Sequence, residues 1–267
     1  MIVAVSDLHL GTPYSDKSLF TTFLDDVVDT EEVDHFILVG DILDMWRGTP
    51  STTLETHKDV LKKVSNLQKR RKIYYVVGNH DYHMLRRKSD IFKWYNLNVY
   101  ESVTLPYGDQ NYFFIHGYQF EFPDTLEVYE ELANLLCLGG DVVGATVAYF
   151  WNLHEKIRFI VYMQKTWFSK TFENVIKPPE ERLTRKDMDK INNTIKEWRK
   201  DDTKQIKDAF IVYGHTHQPT MDGSRREANT GSWVDDPHYT HLEKNKYITI
   251  KEDGTVKLET YSPSNLK

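Results

Sequence analysis

Residues 36 to 44 read Phe36-Ile37-Leu38-Val39-Gly40-Asp41-Ile42-Leu43-Asp44, and the fold of the chain turns on them. Four consecutive apolar residues mark a strand buried on both faces, and a Gly-Asp pair stands where that strand ends. The same grammar recurs four times. Ile2 to Val5 runs into Ser6-Asp7-Leu8-His9, and Ile73 to Val77 into Gly78-Asn79-His80-Asp81. Tyr112 to Ile115 runs into His116-Gly117, and Ala209 to Tyr213 into Gly214-His215-Thr216-His217. Five strands thus deliver oxygen and nitrogen donors at their ends. Ligands of an open α/β sheet bind beyond the carboxyl ends of its strands, so the five clusters are expected to meet in one crevice.

The segments between the strands support this reading. Asp16 to Val28 has helical spacing at Leu19, Phe23, Leu24, Val27 and Val28, and Thr52 to Arg71 repeats it, with the basic run Lys69-Arg70-Arg71-Lys72 at the helix C-terminus. Two such crossovers build a parallel sheet. Tyr107-Gly108-Asp109-Gln110 and the surroundings of Asp253-Gly254 read as hairpin turns. From Asp124 to Asp202 the strand-and-donor grammar is missing and the pattern is helical, which predicts an inserted helical cap at about 120–205 within a single domain spanning 1–267. Inside it, Leu132 to Trp151 is apolar and carries Gly140, Gly144 and Ala148 at a spacing that lets helices approach closely. Asp141, Asn134 and the Gly139-Gly140 break argue against a transmembrane span there. The aromatic residues Tyr149, Phe150, Trp151, Phe159, Tyr162, Trp167 and Phe168 exceed what a small lid needs for its own packing, so the insertion is expected to cover a substrate or to form a homodimer surface.

A chain of 267 residues buries one sizeable core. Its net charge of -6 argues against a general nucleic-acid-binding surface. Cys137 is the only cysteine, which excludes an intramolecular disulfide and a thiolate metal site. Met1-Ile2-Val3-Ala4-Val5 passes directly into the first donor cluster, so no signal peptide is read and a cytoplasmic location is expected.

Asp, Asn and His without cysteine suit hard or borderline divalent ions: manganese first, with iron or zinc as alternatives. Two ions roughly 3.5–4 Å apart need a shared carboxylate and terminal ligands on each side. Asp41 is the candidate for the shared carboxylate. His215 and His217, two residues apart, face the same way on an extended backbone, though a loop would aim them at different ions.

With these residues identified, the chain resembles the calcineurin-like metallophosphoesterase superfamily, through Asp7-Leu8-His9, Gly40-Asp41-Ile42-Leu43-Asp44, Gly78-Asn79-His80-Asp81, His116-Gly117 and Gly214-His215-Thr216-His217 in that order. The resemblance implies a four-layer α/β/β/α sandwich of two mixed sheets with the helical cap inserted. It implies one ion held by Asp7, His9, Asp41 and His217 and another by Asp41, Asn79, His116 and His215. It also implies that His80 faces the phosphate as a catalytic group oriented by Asp44. The chain looks most similar to the branch that includes UDP-2,3-diacylglucosamine pyrophosphohydrolases, on Asp7-Leu8-His9-Leu10-Gly11, Asp41 to Trp46 and the helical insertion. It departs from that branch at His80, where the branch has Arg, and at Tyr118, where the branch has Asp. The reaction type therefore carries over and the substrate does not.

The expected activity is two-metal hydrolysis of a phosphodiester or pyrophosphate bond by a metal-bridging hydroxide, acting on a small molecule under the cap. Trp46, Arg47 and Arg86 are candidate substrate-binding residues, by stacking or by clamping a phosphate. A nucleotide or nucleic-acid phosphodiesterase is one alternative, resting on Lys69 to Lys72 and Arg86 to Lys88. A non-catalytic binding scaffold of the same fold is another.

Overall fold

The computed structural model describes residues 1–139, 185–204, 206–235 and 243–263. Strands β1 (Ile2–Val5), β2 (His35–Val39), β3 (Lys72–Val76) and β4 (Val99–Tyr100) are parallel neighbours. On the other side of β1, β10 (Lys246–Ile250) and β11 (Val256–Thr260) pair antiparallel, giving the order β11-β10-β1-β2-β3-β4. The second sheet is mixed as well. It contains β5 (Ser102–Tyr107), β6 (Gln110–Ile115), β7 (Phe210–Tyr213), β8 (Thr220–Asp222) and β9 (Glu227–Asn229), in the order β5-β6-β7-β9-β8. The apolar run around Val99 to Leu105 serves both sheets: the chain leaves the first at Tyr100 and enters the second at Ser102.

The alternation of side chains along each strand makes the layers. Ile2, Ala4, Ile37 and Val39 of the first sheet meet Tyr112, Phe114, Phe210 and Val212 of the second in the central core. Their neighbours Val3, Val5, Phe36 and Leu38 face the other way, under helices carrying Phe20, Phe23, Val60, Leu61 and Val64. On the far side, Phe113, Ile115 and Ile211 pack with Phe120, Ile191 and Ile195. This is the four-layer α/β/β/α arrangement.

The first crossover is α1 (Lys17–Phe23), capped by Asp16, whose Oδ1 accepts the Leu19 amide at 2.8 Å; it widens into a π-turn over Leu24–Val28. The helix expected over Thr52 to Arg71 is interrupted at His57, which closes α2 (Pro50–Thr56) and precedes α3 (Lys58–Leu67). Beyond Leu67 the chain turns, and Arg71 donates to the carbonyls of Val28 and Thr30 rather than extending the helix. Short helices α4 (His83–Arg86), α5 (Lys88–Tyr95) and α6 (Tyr118–Glu121) follow β3 and β6. Two further helices, α7 (residues 126–139) and α8 (Arg185–Lys200), fall inside the stretch of about 120–205 expected to be inserted. Both join the body of the fold, α7 burying Tyr129, Ala133 and Cys137 and α8 burying Ile191 and Ile195. Residues 140–184 lie outside the described residues, and with them Gly140, Gly144, Ala148 and the aromatic residues from Tyr149 to Phe168. Among the described residues no helix is long and apolar enough to cross a membrane.

Candidate metal centre

The C-terminal ends of β1, β2, β3, β6 and β7 meet in one place, and the backbone ties the loops together there. The amides of Asp7 and His9 donate to the carbonyls of Gly40 and Asp41 at 3.0 and 2.9 Å, and the Gly214 amide donates to the His116 carbonyl at 2.8 Å. Five residues at these strand ends, Asp7, His9, Asp41, His215 and His217, have φ between 45° and 67°. Side chains other than glycine seldom adopt that region, and such strain persists only where the surroundings over-determine it. The only other non-glycine residues with positive φ among the described residues are Asn96, Arg226 and Asn245, so the strain is concentrated at this site.

Donor atoms of Asp7, His9 and His217 lie within 4.8 Å of one another, as do those of Asp7, Asp41 and His116, and those of His9, Asp44 and His80. Asp41 Oδ2 stands 3.7 Å from His9 Nε2 and 3.2 Å from His116 Nε2, so one oxygen faces both groups. His217 Nε2 lies 3.3 Å from Asp7 Oδ1 and 3.2 Å from His9 Nε2. Asn79, on the loop after β3, is buried. His215 is anchored by its amide, which donates to Asp7 Oδ2 at 3.0 Å, and its ring centroid lies 5.3 Å from that of His116. A Cβ placed on Gly78 would collide with the Asp41 carboxylate, so glycine is required where the chain leaves β3 beside Asp41.

The family profile described as calcineurin-like phosphoesterase matches residues 1–219. The chain belongs to that family. This phosphoesterase is therefore a hydrolase acting on phosphoester bonds, and the family implies divalent metal ions. A comparison with curated proteins returns no match. Among solved structures, similar chains include vacuolar protein sorting 29 from Cryptosporidium parvum, at 13% identity and a TM-score of 0.43 over 98% of this chain and 97% of that one. An archaeal phosphodiesterase aligns at 12% identity and a TM-score of 0.46, over 97% of this chain and 99% of that one. A predicted phosphoesterase from Streptococcus pneumoniae aligns at 13% identity and a TM-score of 0.38, over 97% of both chains. Likenesses this distant carry no argument of their own.

The donor set of the phosphoesterase fits divalent ions. Asn79 Oδ1 is buried and accepts no hydrogen bond. His116 Nδ1 stands 2.8 Å from the Val39 carbonyl, and donation there leaves Nε2 as a lone pair directed at the Asp41 carboxylate. Two acceptors facing each other at this distance call for a cation or a proton between them. Burial works against charge on His116, but the carboxylates of Asp41 and Asp7 prevail and raise its pKa to about 9. The reciprocal effect holds Asp41 well below the usual carboxylate range: burial pushes it up, and His116 and His80 pull it further down.

The substrate-side candidates divide. Trp46 stacks on the His80 ring with centroids 3.9 Å apart and donates its indole N–H to the Asn79 carbonyl at 3.0 Å, which brings it to the site's edge. Arg47 Nε lies 3.7 Å from Asp44 Oδ2 with its side chain half exposed. Arg86 instead pairs with Glu131 and lies over the Tyr82 ring.

Two buried groups outside the candidate ligand set support the loops, Asp81 of the third cluster and Asn229 of the segment Asn229-Thr230-Gly231-Ser232-Trp233, whose place after the last histidine pair reads as a strand edge supporting the site. Asp81 is fully buried and accepts from the amides of Ile42 at 2.9 Å, Leu43 at 3.3 Å and Gly78 at 2.6 Å and from the Tyr75 hydroxyl at 2.7 Å, joining the Asp41 and Asn79 loops. Asn229 donates to the Gly214 carbonyl at 2.7 Å and accepts from the Gly231 amide at 2.8 Å, bracing the loop that carries His215 and His217. Only the position of Asp81 beside Asn79-His80 could have marked it.

Proposed function

We propose that this phosphoesterase hydrolyses a phosphodiester or pyrophosphate bond of a small molecule with two divalent ions, manganese first and iron or zinc as alternatives. The observation that carries the reading is Asp41 Oδ2, which faces His9 on one side and His116 on the other. Asp7, His9, Asp41 and His217 would hold one ion, and Asp41, Asn79, His116 and His215 the other. When bound, the ions supply an acidified water as nucleophile and neutralise charge on the phosphoryl oxygens.

The chain's own residues supply orientation and the proton. The His80 amide donates to Asp41 Oδ1 at 2.8 Å, which fixes the shared carboxylate so that its other oxygen points inward. His80 Nδ1 lies 3.2 Å from Asp44 Oδ1, and Trp46 covers one face of the ring. An imidazole so held keeps its second nitrogen, Nε2, for the oxygen that leaves phosphorus, to which it donates a proton. Asp44 remains ionised for this task, because His80 and His9 outweigh the effect of its burial.

The preference for a small diester or pyrophosphate rests on the cap expected within about 120–205, which would exclude large folded substrates; a homodimer through the same segment is the other use we propose for it. The basic runs give little support to nucleic acid. Arg70 pairs with Asp29, Arg71 with backbone carbonyls, Arg86 with Glu131 and Arg87 with Asp90. The test is a comparison of kcat/KM for an aryl phosphodiester, a nucleoside-diphosphate sugar and an aryl monoester. The reading expects the diester or the pyrophosphate to exceed the monoester by more than an order of magnitude, and a monoester preference would overturn it.

A further inference from the structure

We infer that Glu121 is a positioning residue of the metal centre: its carboxylate accepts a hydrogen bond from Nε2–H of His215 and leaves the Nδ1 lone pair of that ring for an ion. The inference rests on the two-ion reading above and adds a residue to it. Glu121 Oε2 lies 2.6 Å from His215 Nε2, and both side chains are only 13% exposed.

A histidine that binds a metal through one nitrogen almost always ties the other to a carboxylate or carbonyl, which fixes tautomer and ring orientation. His116 does this with its Nδ1 on the Val39 carbonyl, so its Nε2 faces the centre. His215 shows the opposite arrangement: Nε2 is the tied nitrogen. The backbone of His215 is held as well, by φ of 67° and by its amide bond to Asp7. With both backbone and Nε2 fixed, the ring has one remaining nitrogen to offer.

The chain is built to bring Glu121 there. Gly117, at φ of 125°, turns the chain directly after His116, and its amide donates to Gln119 Oε1 at 3.1 Å as α6 begins. A Cβ on Gly117 would meet the His215 Cβ at 3.2 Å, so glycine is what lets the two segments lie this close. Glu121 ends the single helical turn that follows and reaches back to His215.

The test is calorimetric titration of chelator-stripped wild type, Glu121→Gln and Glu121→Leu with zinc, together with long-range proton–nitrogen correlation spectra of the zinc-loaded histidines and a melting curve of each metal-free protein. Two ions should bind to wild type, with His215 protonated on Nε2. Glu121→Leu should weaken one of the two sites by about 10–100-fold while the metal-free melting temperature is kept, and Glu121→Gln, whose carbonyl still accepts, should fall between. Unchanged affinity at both sites in Glu121→Leu, or His215 protonated on Nδ1 in zinc-loaded wild type, would overturn the role of Glu121 and leave the two-ion centre standing. A wild type that takes up fewer than two ions would overturn the two-ion reading itself, and this role with it.

Discussion

Asp44 holds His80 through one oxygen, with Oδ1 3.2 Å from Nδ1, while its other oxygen lies 3.8 Å from Nδ1 of His9. A single buried carboxylate thus links the proposed acid to a candidate metal ligand. If His80 protonates the leaving oxygen, its loss matters most where that oxygen is basic. Replacing His80 with Gln is expected to lower kcat by about 10²–10⁴-fold for an alkyl ester and by much less for a nitrophenyl ester. Steady-state rates across a series of leaving groups check this, and an equal loss across the series would contradict it.

Gly78 sits where any side chain would displace the Asp41 carboxylate, and its amide also serves Asp81. Gly78→Ala should destabilise the protein by about 1–3 kcal/mol, as overpacking does, and should weaken metal binding. Denaturant unfolding and metal titration of the same variant measure the two effects.

Tyr75 and Asp81 form a buried bond beneath the ligand loops, at 2.7 Å. Tyr75→Phe removes one hydrogen bond to a carboxylate and is expected to cost about 1.5–3 kcal/mol. Asp81→Ala should cost more, because it leaves three buried amides and the tyrosine hydroxyl without their acceptor. Urea unfolding of both variants gives the ranking, and a cheaper Asp81→Ala would refute the bracing role.

His116 supplies the pH dependence. Its pKa of about 9 in the fold stands above the ordinary 6.5, because the Asp41 and Asp7 carboxylates outweigh burial. A raised folded pKa contributes stability that is complete below the unfolded value and is lost as pH rises through the folded one. Metal-free protein should therefore lose up to about 3 kcal/mol between pH 6.5 and 9. A divalent ion held by His116 would take the place of that proton, so metal-loaded protein should keep its stability over the same window. Thermal melts with and without chelator measure the difference, and parallel pH profiles for the two forms would count against it.

The five donor clusters were legible because each is a local pattern, an apolar run ending in donors, and the strand bounds fall within one or two residues of it. For the same reason both hairpins were legible from their Gly-containing turns. What sequence could not give depends on partners far along the chain. Glu121 is a lone acid on a one-turn helix, and nothing local signals its meeting with His215, 94 residues away. The break at His57 interrupts an apolar period that continues on both sides of it. The passage from β4 to β5 hides a change of sheet inside one apolar run. The helices α7 and α8, inside the stretch expected to be inserted, read as cap, yet their apolar faces belong to the two outer cores.

The most direct test of the account is hydrolysis of bis(p-nitrophenyl) phosphate by chelator-stripped protein before and after addition of manganese, for wild type and Asp41→Ala. Wild type is predicted to be inactive when stripped and to recover with manganese, while Asp41→Ala stays inactive at the same metal concentration. Turnover that persists without metal, or that survives the loss of Asp41, would contradict the central claim.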